Sequence, residues 1–184
     1  MLAEALIVGS FALAALATVW LFRILRHNRR QRRAPAGRID ERLAESHSTT
    51  RTHLERPPRL RALATVDRTA DGEPIVVPVI RVELGMSEPP GMELAFEYVA
   101  SVLEAVQPEL IDVHVRHYDV QFRFGPDGLL VSRTCFRVSV PPELADRLVT
   151  DENYRAHDLR RDVEDGDDGD PETAPVLWAD CRSY

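Results

Sequence analysis

The chain has 184 residues, with 23 basic and 30 acidic side chains and a net charge of −7. Every basic residue is arginine, so the absence of lysine excludes Schiff-base and pyridoxal chemistry and the phosphate-cradling lysine of a P-loop. Residues 1–61 hold 12 arginines against 5 acids, whereas residues 62–184 hold 11 against 25, which makes the second part a poor ligand for nucleic acid.

Ala5 to Phe22 is an apolar run of about 18 residues, about 27 Å long as a helix and so close to the thickness of a bilayer core. Arg23, Arg26, Arg29, Arg30, Arg32 and Arg33 follow it, while Glu4 is the only charged side chain ahead of it. A cleaved signal peptide carries its positive charge before a shorter core, so the pattern predicts an uncleaved transmembrane anchor over residues 1–25. The positive-inside rule puts its N-terminus outside and everything after it in the cytoplasm. Ser10, Ala14 and Thr18 recur at the spacing that lets such helices approach one another.

Residues 26–59 read as a basic, polar linker with an r.m.s. span of about 30 Å and a short helix at Ile39–Glu45. Acidic surfaces without lysine fit a cytoplasm at multimolar salt, and equally the codon usage of a GC-rich genome; the first is the reading adopted. There the Debye length is about 3 Å, so the arginine run sets topology without acting at long range.

A single α+β domain is expected over 60–184, in the order β-β-α-β-β-α-(β), with an antiparallel-rich sheet and helices on one face. Leu60–Val66 is a weak strand candidate. Ile75–Leu84 is β-branched and strand-like, but Pro78 within it predicts an edge position or a bulge. Met92, Ala95, Phe96, Val99, Val102, Leu103 and Val106 follow a helical period opposite Glu93, Glu97, Ser101 and Glu104, and Pro108 ends that helix. A hairpin of Leu110–Phe124 and Leu129–Val140 is expected around Gly125–Gly128. Helical sequence opened by Pro142 then runs to Val163 with a restart near Thr150, an acidic loop covers 162–172, and Pro175–Ala179 forms a last strand.

Pairing Phe124 with Leu129 across that turn puts Tyr118, Val120, Phe122, Phe124, Leu129 and Val131 on one apolar strip, which the helix on the other side of the ribbon cannot cover. The strip is the candidate interaction surface, through a protein partner or self-association.

Other clusters carry no chemistry. His114 and His117 are an odd number of residues apart and point to opposite faces of a strand. Asp165–Asp170 departs from the calcium-loop pattern, with Asp170 and Val176 where glycine and the bidentate glutamate belong. Glu83, Glu97, Asp112 and Asp119 show no convergent spacing for two-metal hydrolysis. Cys135 and Cys181 are expected as free thiols in a reducing compartment, and Trp178 as a core or covering residue.

No catalytic, cofactor or metal residues are therefore assigned. The reading is a single-pass, membrane-tethered cytoplasmic interaction or scaffolding module without chemistry of its own. Its rivals are a metal-dependent hydrolase or nuclease on the sheet carboxylates and a small-ligand sensor.

Overall fold

The computed structural model describes residues 36–46, 53–126, 133–167 and 175–184. The elements are α1 (36–46), β1 (Leu54–Arg68), β2 (Pro74–Leu84), α2 (Met92–Val106), a 3-10 turn (Gln107–Leu110), β3 (Tyr118–Phe124), β4 (Thr134–Val140), α3 (Pro142–Thr150), α4 (Ala156–Gly166) and β5 (Val176–Asp180). This is a mixed α+β fold: a five-stranded sheet in the order β1-β2-β3-β4-β5, with four helices. Among the described strands only the β2–β3 pair is parallel. Among the described residues no helix is long and apolar enough to cross a membrane, and residues 1–35, with the expected anchor and Arg23 to Arg33, lie outside them.

The sheet has two unlike sides. Strand side chains alternate, and the register aligns Ile80 with Val120 and Val138, and Val82 with Phe122 and Phe136. These fall in one buried cluster with Ile39 and Leu43 of α1, Phe96, Val99 and Leu103 of α2, Leu148 of α3 and Leu159 and Val163 of α4. The other side carries Val79, Asp119 and Ser139, then Arg81, Gln121 and Arg137, on the same three strands.

α2 spans the expected residues because its apolar side chains occupy one face and its carboxylates the other, and the chain tightens into the 3-10 turn at Pro108. Pro78 does not make β2 an edge strand. Val76 bonds to His114 and Arg116 through its own N–H and C=O, so Pro78, two residues on, turns its donor-less nitrogen the same way. There the parallel ladder has not yet begun, since it starts at Val79, and no hydrogen bond is lost.

The folded unit also starts earlier than residue 60. It runs from Ala36. Ile39 and Leu43 are wholly buried, Arg38 and Arg42 reach Glu109 at 2.6 and 3.5 Å, and Asp40 accepts the Leu60 backbone N–H at 2.8 Å. The expected acidic loop also begins later than residue 162, because α4 continues to Gly166.

The hairpin register differs most. Phe124 pairs with Thr134, not with Leu129, a displacement of five residues along the second strand. An odd displacement turns every β4 side chain to the opposite face. Phe136, Val138 and Val140 therefore join Tyr118, Val120 and Phe122 on one face.

Candidate functional site

The predicted docking strip is core. Tyr118, Val120, Phe122 and Phe124 are all buried, covered by the helices and by Trp178, whose ring lies 5.7 Å from Phe122 and 5.2 Å from Phe136. Leu129 and Val131 lie outside the described residues. Trp178 has the covering role expected of it.

The carboxylates proposed for metal chemistry are scattered. Glu83 pairs with Arg56 at 3.6 Å, Glu97 is exposed on α2, Asp112 is exposed after the 3-10 turn, and Asp119 is buried on the sheet side away from the helices. His114 is exposed beside Glu73 at 3.1 Å, whereas His117 is buried. Among the described residues, no three His, Cys, Asp or Glu side chains stand close enough to hold a metal. The surface clefts flanking α2 are lined by charged helix side chains, among them Arg160 and Glu164, which pair with each other at 3.0 Å.

The unusual chemistry lies on the side of the sheet opposite the helices. Asp119 and Arg137 come from the adjacent strands β3 and β4 and are 0% and 2% exposed, with Gln121, Ser139 and His117 buried beside them. Arg137 donates to the Ser139 hydroxyl at 2.6 Å. The Gln121 amide donates to Asp119 Oδ2 at 3.2 Å and to the Arg182 carbonyl at 2.9 Å. His117 Nε2 and the Tyr184 hydroxyl lie 3.1 Å apart. Residues 182–184, just beyond β5, thus lie across the row.

The cover leaves two polar atoms stranded. Asp119 Oδ1 and Arg137 Nε have no hydrogen-bond partner in the structure. Each costs about 1–3 kcal/mol of unrecovered desolvation. Burial raises the Asp119 pKa, against the opposing pull of Arg137, Gln121, Tyr184 and Arg182. Burial also raises that of Tyr184, helped by the Asp119 carboxylate.

His117 responds the other way. Burial, reinforced by the positive charges of Arg137, Arg116 and Arg182, holds its pKa down to about 4. An imidazole whose folded pKa lies below its unfolded value stabilises the fold above about pH 6.5 and loses that contribution as pH falls toward 4. The expected loss over that window is on the order of 2 kcal/mol, allowing for the water that still reaches the ring. Asp119 works in the opposite sense, because its raised pKa favours the fold at lower pH. Urea-denaturation midpoints of wild type and His117→Gln, compared from pH 7 to 4, isolate the histidine: the variant should show the shallower acid decline, and parallel curves would remove His117 from the account.

Beside the row lies a cluster of arginines. Arg81 of β2 stands opposite Arg59 of β1 and next to Gln121 of β3, whose Oε1 it reaches at 3.2 Å. Arg61, the extra residue at a register shift in β1, and Arg123 of β3 lie close enough, together with burial, to lower the Arg81 pKa. Glu83 opposes them but is itself held by Arg56. Among the described residues Arg61 and Arg123 have no carboxylate partner, and Arg81 Nε is buried without an acceptor. Arg81 and Arg123 belong to residues 62–184, which hold 25 acids against 11 arginines, and Arg61 joins them from the basic part of the chain.

The two cysteines contradict the free-thiol expectation. Cys135 and Cys181 form a disulfide between β4 and the end of β5, with Cα atoms 5.4 Å apart, and the Cys181 N–H donates to the Cys135 carbonyl at 3.2 Å. Their separation of 46 residues hides this in the sequence. Only the β4–β5 pairing makes them neighbours. The buried polar row had a readable signal, since Asp119 and Gln121, and Arg137 and Ser139, alternate with apolar residues in their strands. No protein-family model, curated protein or solved structure matches this chain.

Proposed function

We propose that the chain is a membrane-tethered interaction module whose partner presents an acidic polypeptide segment to the Arg61–Arg81–Arg123 cluster. The observation that carries this reading is the grouping of Arg61, Arg81 and Arg123, of which Arg61 and Arg123 have no carboxylate partner among the described residues and whose one acidic neighbour, Glu83, is held by Arg56. Guanidinium forks fit carboxylates bidentately, and such contacts act at contact distance, so they persist in salt that abolishes longer-range attraction. An acidic segment is favoured over an anionic lipid surface on geometric grounds. A narrow peptide needs only the cluster itself, whereas a flat bilayer would meet a wider area of a domain whose residues 62–184 hold 25 acids against 11 arginines.

In this reading the apolar run over Ala5–Phe22 anchors the chain, the arginines after it keep the domain in the cytoplasm, and the residues before Ala36 supply the reach. No observation favours the hydrolase reading.

The test uses the full chain in nanodiscs of neutral lipid, with a fluorescent twelve-residue polyglutamate peptide as probe at molar and at 0.15 M salt. Binding is expected, and Arg81→Gln with Arg123→Gln should weaken it by at least about tenfold, two charge-assisted contacts being lost. Equal affinity in the variant would overturn the assignment of the surface. Binding to phosphatidylglycerol vesicles but not to the peptide would replace the protein partner with a membrane.

A further inference from the structure

We infer that the outer edge of β1, from Ala62 to Val66, pairs with the same edge of a second copy of this chain, antiparallel and symmetric about Ala64. The contact needs neither Arg81 nor Arg123, so it stands whatever binds them.

The pairing of β1 with β2 decides which backbone groups are free. Val76 of β2 directs its N–H and C=O to His114 and Arg116, on the side away from β1. Thr65 stands opposite Val76, exchanges no bond with it, and turns its own N–H and C=O outward from the sheet. Leu63 stands opposite Pro78, which has no N–H to give, and turns outward likewise. Leu60 shows the same direction, because its N–H leaves the sheet to reach Asp40 at 2.8 Å. Nothing among the described residues takes the outward groups of Leu63 and Thr65. Unpaired groups in such a row are a template for another strand.

Elsewhere the sheet edges are guarded. Pro57 and Pro58 interrupt the first part of β1, Asp40 caps the edge at Leu60, and β5, the other outer strand, has only five residues. From Ala62 to Val66 the edge carries neither a proline nor a charged side chain. Ala62 and Thr65 are exposed there, and Val66 is 40% exposed.

The stretch is complementary to itself. With Ala64 on the two-fold axis, Leu63 of each copy faces Thr65 of the other, and each such pair exchanges two backbone hydrogen bonds. Ala62 then faces Val66, and Arg61 meets Asp67 at both ends of the contact. Arg61 has no carboxylate partner among the described residues. Asp67 accepts Arg116 at 2.7 Å, but its side chain is 56% exposed and has room for a second guanidinium. A second copy brings this charge match twice, which an arbitrary extended segment does not. Backbone bonds and ion pairs at contact distance also survive the screening expected at multimolar salt.

Cysteine cross-linking reads both the partner and the register. The full chain is used in mild detergent at about 100 μM, where a short contact is populated. Copper–phenanthroline is the oxidant, and mass spectrometry locates the linked cysteines. On the symmetry axis two Ala64 residues lie about 4.5 Å apart at Cα and can be bridged, whereas two Ala62 residues lie about 13 Å apart and cannot. Ala64→Cys should therefore cross-link at least about tenfold faster than Ala62→Cys. Adding Ala62→Lys and Val66→Lys to Ala64→Cys sets lysines opposite each other and should slow the link by about tenfold. Ala62→Glu with Val66→Lys should restore it. Leu63→Pro removes an outward N–H that the fold does not use, so it should also slow the link while leaving the circular dichroism unchanged. A link no faster at position 64 than at position 62 would overturn the inference. Failure of the Glu–Lys pair to restore the link, in a chain whose dichroism is unchanged, would overturn it too, because the edge would then receive something other than its own copy.

Discussion

Phe122→Asp should abolish folding of the domain. The side chain is wholly buried in the sheet centre, flanked in register by Val82 and Phe136 and covered by Trp178. Truncating such a phenylalanine to alanine costs about 3–5 kcal/mol, and an unpaired carboxylate adds several more. The total rivals the whole stability of an ordinary domain, about 5–15 kcal/mol. Phe122→Leu, which keeps most of the apolar volume, should fold with a lowered denaturation midpoint. Circular dichroism and urea titration of the two variants check this. A folded Phe122→Asp protein that had merely lost self-association would restore the exposed strip.

That variant also marks where the sequence was hard to read. Tyr118, Val120, Phe122 and Phe124 were recognisable as one apolar face. Their partner strand was set by assuming a tight turn at Gly125–Gly128, whereas the first described pair is Phe124 with Thr134. Alternating sequence such as Phe136-Arg137-Val138-Ser139-Val140 fits either phase equally well in isolation. Matching its apolar residues to those of β3 would have chosen the observed phase, and with it exposed the Asp119–Arg137 row.

α2 was legible because seven apolar residues share a helical period and one surface decides their burial. α1 was not. Ile39 and Leu43 are only one turn of apolar spacing in an arginine-rich stretch, and their burial depends on the rest of the core being present. The disulfide and the arginine cluster are still less local. Both arise only when strands distant in sequence are set side by side.

Lowering the salt from multimolar to about 10 mM should unfold much of the population of Ala36–Tyr184, because carboxylates in excess crowd the helices and arginines cluster on the other side of the sheet. The helix side carries Glu93, Glu97 and Glu104 on α2, Glu143 on α3, and Glu164 and Asp165 on α4. Its ion pairs include Arg161 with Asp158 and Arg147 with Asp162, both at 3.1 Å, and such surface pairs contribute no more than about 1 kcal/mol each. On the other side Arg61, Arg81 and Arg123 repel one another. Two like charges 10 Å apart in water cost only about 0.4 kcal/mol, but residues 36–184 hold 29 acids against 17 arginines, a net charge of −12, and many such pairs. Their sum reaches several kcal/mol once the Debye length grows from about 3 Å at 1 M to about 30 Å at 0.01 M. Circular dichroism across the titration gives the curve. Glu93→Gln, Glu97→Gln and Glu104→Gln together should move its midpoint to lower salt by thinning the carboxylates on α2. A domain equally folded at both ends would mean that the acid excess serves solubility alone, and its carboxylates would then be too well solvated for their repulsion to reach the fold.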